Sequence, residues 1–131
     1  KYNLIKNKKK IKNISFKKFD INLKNIIKKY DILLHLSKRE GLPVGVMQSL
    51  STGLPVICYN IRGNNDLIKD EFNGYFIQSY KDVPNTICYL NLNTDFYYRM
   101  SLNALKSINQ EFSRKNINLK IYNIIKNYLK Y

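Results

Sequence analysis

The sequence of 131 residues is long enough for one domain with a hydrophobic core, and its 44% hydrophobic content excludes a disordered chain. No apolar run approaches the roughly 20 residues of a membrane-spanning helix, and Cys58 and Cys88 lack the spacing of a zinc site, which indicates a reducing compartment. The net charge of +14, carried mainly by Lys, fits either attraction to phosphate-rich partners or the codon bias of an AT-rich genome.

Two elements are predicted before the central part of the chain. Residues 14–16 have the composition of a short strand. Apolar residues between positions 23 and 30 recur at the spacing of one helix face, which predicts a helix over 21–30 with Asp20 as its N-cap.

The central part reads as strand, loop, helix and strand, which is one βαβ unit. The apolar run at 32–36 is typical of a strand buried on both faces. A loop at 38–43 follows, and Pro43 is suited to the first position of the next helix. Gly53 is suited to end that helix in a left-handed conformation, and a second apolar strand is predicted at 55–59.

The remaining chain is predicted to add one strand and several helices. A loop at 61–66 leads into a short helix that starts at Leu67, and a turn at Asn73 and Gly74 leads into a strand at 75–77. Longer helices are predicted at 82–90, at 95–112 with Thr94 as cap and Tyr98, Leu102, Leu105 and Ile108 along one face, and after Ser113 as the last N-cap.

The last helix carries an apolar stripe flanked by Lys. The stripe consists of Ile117, Ile121, Ile124, Ile125 and Tyr128. Docking of this face on its own domain and contact with a membrane surface both require such a pattern. The sequence leaves both interpretations open.

The loop at 38–43 determines what the βαβ unit can bind. Ligands of open parallel sheets lie outside the carboxyl ends of the strands, where this loop and the positive end of the next helix are expected. Free backbone amides there favour phosphate or diphosphate, Gly41 allows a ligand close to the backbone, and Glu40 accepts hydrogen bonds from hydroxyls. These features indicate a phosphorylated sugar; a turn with a solvated Glu is the alternative. His35, in the strand at 32–36, is interpreted as a packed strand residue rather than an acid or base.

The pattern SxxEGLPxxxxxxxxxGLPVI at 37–57, followed by RGNxDLI and NGYFI, resembles the donor-binding domain of retaining glycosyltransferases with the GT-B fold, in particular family 4. That family carries a Glu, seven residues and a second Glu; the first matches Glu40 and the second falls on Gln48. The resemblance implies a doubly wound, Rossmann-like α/β domain with a parallel sheet over 1–131. The strands at 14–16, 32–36, 55–59 and 75–77 would be the last four of six in the order 3-2-1-4-5-6.

The resemblance also implies roles for individual residues. Glu40 is the expected catalytic residue and orients the sugar hydroxyls. The amides of Gly41 and Leu42 and the helix that starts at Pro43 stabilise the departing diphosphate, an electrostatic form of catalysis. Gln48 faces the ribose, and Arg62 contacts phosphate. No metal and no cofactor are expected beyond the donor substrate, a nucleotide diphosphate sugar and in particular a UDP-sugar.

The same resemblance implies that the first two strands of the sheet and the N-terminal acceptor domain are absent from these residues. We therefore expect part of a longer, cytoplasmic glycosyltransferase of polysaccharide biosynthesis, inactive as this fragment, which acts on a glycan or lipid-linked acceptor and associates peripherally with the inner face of the membrane. A non-catalytic nucleotide-sugar-binding module is the first alternative, because Gln48 replaces a Glu. A basic nucleic-acid-binding domain is less favoured, because Arg is scarce and no known aromatic–basic motif is present.

Overall fold

The computed structural model describes residues 14, 15, 17 and 22–129. Within these residues it has three strands: β1 (Leu33–His35), β2 (Val56–Tyr59) and β3 (Gly74–Ile77). It also has five α-helices: α1 (Leu23–Ile27), α2 (Val44–Leu50), α3 (Val83–Leu92), α4 (Thr94–Glu111) and α5 (Arg114–Tyr128). A single 3-10 turn, Tyr80–Asp82, precedes α3.

The strands form one parallel sheet in the order β1-β2-β3. Leu33 lies opposite Val56, and His35 lies opposite Cys58. Helix α2 connects β1 and β2, so the predicted βαβ unit is confirmed. Strand β3 extends the sheet on the other side of β2, where it pairs in parallel.

Strand β2 alternates between two hydrophobic clusters, because successive side chains of a strand point to opposite faces. On one face, Val56 and Cys58 pack with residues of α2, of the β2–β3 connection and of α4 (Val46, Leu50, Leu67, Ile68, Ala104 and Ile108). On the other, Ile57 packs with Ile77, Leu90 and Met100. Helices thus cover both faces of the sheet, which confirms the predicted α/β class.

The first predicted strands differ most from the structure. Ile14 and Ser15 are exposed and form no strand, Phe16 lies outside the described residues, and the described sheet therefore has three strands rather than four. Strand β1 was predicted to be buried on both faces, yet Leu34 is 43% exposed. The reason is that β1 pairs with β2 alone among the described residues, so one long edge and part of one face have no cover.

Two helix starts also differ from prediction. Pro43 is the N-cap of α2 rather than its first residue: its backbone is extended, with φ −74° and ψ 108°, and its carbonyl accepts from the amides of Val46 and Met47. Helix α1 is shorter than the predicted 21–30, and its predicted cap, Asp20, lies outside the described residues. Gly53 does end the α2 region with φ +78°, as predicted.

The connection between β2 and β3 is a series of turns instead of the short helix predicted at Leu67. The left-handed residue in the approach to β3 is Glu71, with φ 57°, rather than Asn73 or Gly74. Gly74 is instead the first residue of β3, where a Cβ would lie 2.6 Å from the carbonyl oxygen of Val56. Close strand pairing, not a turn, therefore requires this glycine.

The last two helices bury different faces from those predicted. Helix α4 buries Met100, Ala104, Ser107 and Ile108, whereas Tyr98 is 64% exposed, so only Ile108 of the predicted face is buried. Its N-cap is Asn93, without a side-chain cap bond, and Thr94 is the first helical residue.

Helix α5 starts as predicted, because the Oγ of Ser113 accepts from the amide of Asn116 at 3.3 Å. Its stripe, however, is between 38% exposed (Ile117) and 79% exposed (Tyr128). The described residues therefore do not cover this stripe, and the interpretation that it docks on its own domain is wrong for them. No described helix has the length and hydrophobicity needed to cross a bilayer.

Candidate functional site

The loops that follow β1 and β2 meet at the carboxyl ends of these strands. Gly63, in the second loop, has φ +87°, a conformation that favours glycine. A Cβ on Gly63 would collide with the carbonyl oxygen of Gly41 and would lie 3.3 Å from the Cβ of Glu40. The second loop thus supports the backbone that carries Glu40.

Glu40 faces back toward the end of β1. Its Oε1 lies 3.2 Å from Nε2 of His35, the last residue of that strand. The side chains of His35 and Glu40 are 21% and 28% exposed, so the pair lies at the surface of the site without being fully solvated. A histidine expected to be a packed strand residue is therefore in direct contact with the expected catalytic carboxylate.

Open space lies beside Gly41 on the side to which a Cβ would project. No atom lies within 4 Å of the position that a Cβ on Gly41 would occupy, and Leu42 is exposed while Pro43 is buried. The first amides of α2, those of Val44 and Gly45, have no intrahelical acceptor and make no hydrogen bond to another described residue. An anion beside Gly41 would meet unpaired donors there.

Gln48 and Arg62, the remaining predicted site residues, form no hydrogen bond or ion pair with Glu40. Gln48 is partly exposed on α2, and its carbonyl accepts from the Oγ of Ser51 at 2.7 Å. Arg62 is exposed beside Gly63 and forms no ion pair with any described residue. The structure therefore brings Glu40, Gly41 and the second loop together and leaves the side chains of Gln48 and Arg62 available.

A small cleft continues from this site along the carboxyl ends of β2 and β3. It has a volume of about 200 Å³ and is lined by Lys38, Tyr59, Asn60, Ile61, Ile77 and Gln78. A larger cavity of about 480 Å³ lies between the amino-terminal side of β1 and helices α3 and α4. Because ligands of parallel sheets bind at the carboxyl ends, the smaller cleft belongs to the candidate site and the larger cavity does not.

The cysteine of strand β2, Cys58, is buried in the hydrophobic core. Burial, with a smaller contribution from Asp70, raises the pKa of Cys58 to about 12, so this thiol stays protonated and unreactive. Among the described residues no three His, Cys, Asp or Glu side chains are grouped as a metal site would require.

Two contacts were missed at the sequence level: the support of Glu40 by Gly63, and the His35–Glu40 pair. The available signal was positional, since both loops follow adjacent parallel strands and each contains a glycine. Neither contact follows from spacing alone, because both depend on the path of the loops.

Comparison with known proteins identifies the family. The model of the family "Glycosyl transferases group 1" matches residues 1–107. The chain belongs to this family. Its solved structural neighbours are GT-B glycosyltransferases, so the predicted fold is confirmed.

The individual relatives are longer glycosyltransferases, and the chain matches a part of each. The UDP-Gal:alpha-D-GlcNAc-diphosphoundecaprenol alpha-1,3-galactosyltransferase of Escherichia coli is 44% identical over 57 residues, which are 44% of this chain and 15% of that protein. Anabaena HepE in complex with UDP superposes with a TM-score of 0.77 at 20% identity, over 83% of this chain and 31% of that one. The pneumococcal O-GlcNAc transferase GtfA in complex with UDP and GlcNAc gives a TM-score of 0.65 at 26% identity, over 82% of this chain and 23% of that one.

The group 1 glycosyltransferase domain described here thus spans a minor part of each of these proteins. The residues that match the family model, 1–107, include the sheet and the two loops of the candidate site. Both of these solved structures contain UDP.

Proposed function

We propose that this chain is the donor-binding part of a longer glycosyltransferase that moves a hexosyl group from a UDP-sugar to a glycan or lipid-linked acceptor with retention, as family 4 enzymes do. The observation that carries the proposal is the meeting of the Glu40–Gly41 loop with the Gly63 loop at the carboxyl ends of β1 and β2. An acceptor carboxylate, open backbone and unpaired amides lie there together, which suits a ligand with hydroxyls at one end and a diphosphate at the other.

Each residue of the site has a role in this proposal. Glu40 accepts hydrogen bonds from hydroxyls of the transferred sugar. The amides of Gly41 and Leu42, with those at the start of α2 behind Pro43, hold the diphosphate and stabilise its charge as the glycosidic bond breaks. Gln48 faces the ribose, and Arg62 adds a positive charge beside the phosphates. The chemistry is electrostatic and uses no metal.

Gly41 offers the sharpest test of this geometry. It lies outside the left-handed region, and no atom approaches the position of its missing Cβ, so Gly41→Ala leaves folding intact. A ligand against this backbone would meet the added methyl group. Calorimetric titration of the full-length protein with UDP is expected to show at least about tenfold weaker binding for Gly41→Ala, the loss of roughly one hydrogen bond to a charged group.

The control is Leu92→Ala, which trims an exposed side chain at the end of α3, outside the candidate site. It should leave UDP affinity unchanged, and both variants should keep the unfolding midpoint of the wild type. Equal UDP affinity for Gly41→Ala and wild type would contradict the proposed position of the diphosphate.

A non-catalytic nucleotide-sugar-binding module is the second candidate, and Gln48 is the observation that favours it. Incubation of the full-length protein with UDP-glucose, UDP-galactose and UDP-N-acetylglucosamine separates the two. Release of UDP by hydrolysis or transfer supports the enzyme, whereas tight binding of a UDP-sugar without UDP release supports the module.

The exposed face of α5 supports peripheral association with an anionic membrane in the cytoplasm. The helix carries Arg114, Lys115, Lys120 and Lys126 and no acidic residue, beside its exposed apolar stripe. The full-length protein should co-sediment at low salt with vesicles that contain phosphatidylglycerol, and Ile121→Gln combined with Ile125→Gln should reduce this. Absence of the wild type from the vesicle pellet would contradict the association.

A further inference from the structure

His35 contacts the carboxylate of Glu40, and this contact indicates a role for the histidine in the candidate site. His35 is the last residue of β1, and its backbone is fixed opposite Cys58 by the parallel pairing with β2. From this position its Nε2 reaches the Oε1 of Glu40, 3.2 Å away.

No other described group satisfies this nitrogen. Nε2 of His35 is inaccessible to solvent and has no hydrogen-bond partner in the described part of the chain. The contact with Glu40 therefore has the length of an ion pair without the direction of a formed hydrogen bond. Contacts of this kind at empty active sites are often poorly aligned and tighten when substrate binds.

The Glu40 side chain is confined at two points. Its Cβ lies beside the Gly63 backbone, and one of its two carboxylate oxygens lies at the imidazole. An ionised carboxylate is an acceptor only, so a donor on His35 can hold Oε1 while Oε2 stays free for a hydroxyl. A strand end is a firmer support for such a group than a loop.

We propose that His35 is a positioning residue, whose Nε2–H fixes the Glu40 carboxylate in the orientation that receives the hydroxyls of the donor sugar. This inference rests on the proposed function. His35 itself touches neither the sugar nor the diphosphate and acts through Glu40.

A double-mutant cycle in the full-length protein tests this role. The variants are His35→Leu, which removes the donor, His35→Gln, which keeps an N–H donor on a neutral side chain, Glu40→Ala, and His35→Leu combined with Glu40→Ala. The measured quantities are kcat and KM for the UDP-sugar that the wild type consumes among UDP-glucose, UDP-galactose and UDP-N-acetylglucosamine, and the calorimetric Kd of UDP alone.

We expect His35→Leu to lower kcat/KM by about tenfold, the effect of losing one hydrogen bond to a charged group. His35→Gln should recover a large part of this loss. In the Glu40→Ala background, His35→Leu should add nothing, because residues that act through one another are not additive. The Kd of UDP, which has no transferred sugar, should be unchanged in all variants.

Three outcomes would overturn the inference: wild-type kinetics for His35→Leu, an equal loss from His35→Leu with and without Glu40, or a parallel loss of UDP affinity that indicates general damage. If His35→Leu does not fold, the same cycle is run with His35→Ala, which also removes the donor. Wild-type kcat/KM for Glu40→Ala would overturn the proposed function as well. A lowered kcat/KM for Glu40→Ala together with wild-type kcat/KM for His35→Leu would overturn the role of His35 alone.

Discussion

At the scale of single residues, Gln48 is the difference from the family pattern with the clearest energetic consequence. The pattern has a second Glu at this position. A Glu at this position would accept from both ribose hydroxyls, whereas glutamine keeps one acceptor oxygen and replaces the other with a donor. Glutamine is neutral, so its hydrogen bonds to the ribose lack charge assistance and are weaker. The neutral side chain also places no negative charge near the diphosphate, which partly offsets this weakening. Gln48→Glu in the full-length protein should therefore tighten UDP binding by about 1 kcal/mol or less.

Calorimetric titration of both forms with UDP measures this difference. Gln110→Glu, which makes the same charge change at an exposed position of α4 outside the candidate site, is the control and should leave the affinity unchanged. A weaker affinity in the Glu variant, or a gain beyond about a hundredfold, would show that Gln48 does not face the ribose.

Cys58 predicts how stability depends on alkaline pH. Its pKa is about 12 in the folded protein against an ordinary value of 9.0, so between these values the unfolded chain ionises the thiol and the folded chain does not. The unfolded state then binds fewer protons, and the free energy of unfolding falls as pH rises, by at most about 1.4 kcal/mol per pH unit from this group. Below pH 9 the contribution is constant.

Urea denaturation between pH 8 and pH 11 compares wild type with Cys58→Ala, which should lose part of this slope. Cys88→Ala, at an exposed position on α3, should keep the wild-type slope. Identical slopes for all three proteins would show that Cys58 is not protected from ionisation.

The sequence predicts where a residue lies in the fold more readily than which side chains it contacts. Glu40 and Gly41 were predicted to lie at the carboxyl end of β1, and the structure places them there, because strand, loop and helix patterns fix that position. The contact of His35 with Glu40 was not predicted, since the side chain of a strand end can meet either the core or the following loop. Gly63 lies in the loop predicted at 61–66, and its close approach to Gly41 depends on the path of two loops that no local pattern encodes.

At the scale of elements, the buried Asn73 holds the β2–β3 connection against α4. Its Oδ1 accepts from the amide of Lys69 at 2.8 Å, and its Nδ2 donates to the carbonyl of Leu67 and to the Oγ of Ser107, each at 3.0 Å. Asn73→Ala leaves three polar groups without this partner in a buried place and should lower the free energy of unfolding by about 2–3 kcal/mol.

The change is measured by urea denaturation. Asn65→Ala, an exposed neighbour in the same connection, is the matched control and should stay within about 0.5 kcal/mol of wild type. A loss no larger for Asn73→Ala than for this control would mean that the connection does not depend on its hydrogen bonds.

Whether a helix or strand was predicted correctly depends on how its residues are buried. Strands β2 and β3 and helix α2 were found because their apolar patterns match one consistent environment. The face of α4 was misjudged because Ala104 and Ser107 are small residues that pack closely, whereas the larger Tyr98 and Leu102 are exposed. The stretch at 14–16 has a strand-like composition, but a strand forms only with a partner, and Ile14 and Ser15 have none among the described residues.

At the scale of the whole molecule, the glycosyltransferase domain presents two surfaces that its own described residues leave open. One is the edge of β1 with Leu34, and the other is the stripe of α5. The relatives that the chain matches are longer, and the chain covers only a part of each. Charge adds little to this picture, since a net charge of +14 suits both a phosphate-bearing donor and an anionic membrane.

The most direct test of the central claim is a crystal structure of the full-length protein with a bound UDP-hexose. We expect a sugar hydroxyl within about 3 Å of the Glu40 carboxylate, hydrogen bonds from the amides near Gly41 to the diphosphate, and the ribose beside Gln48. A UDP-hexose bound elsewhere, with Glu40 left facing solvent, would contradict it.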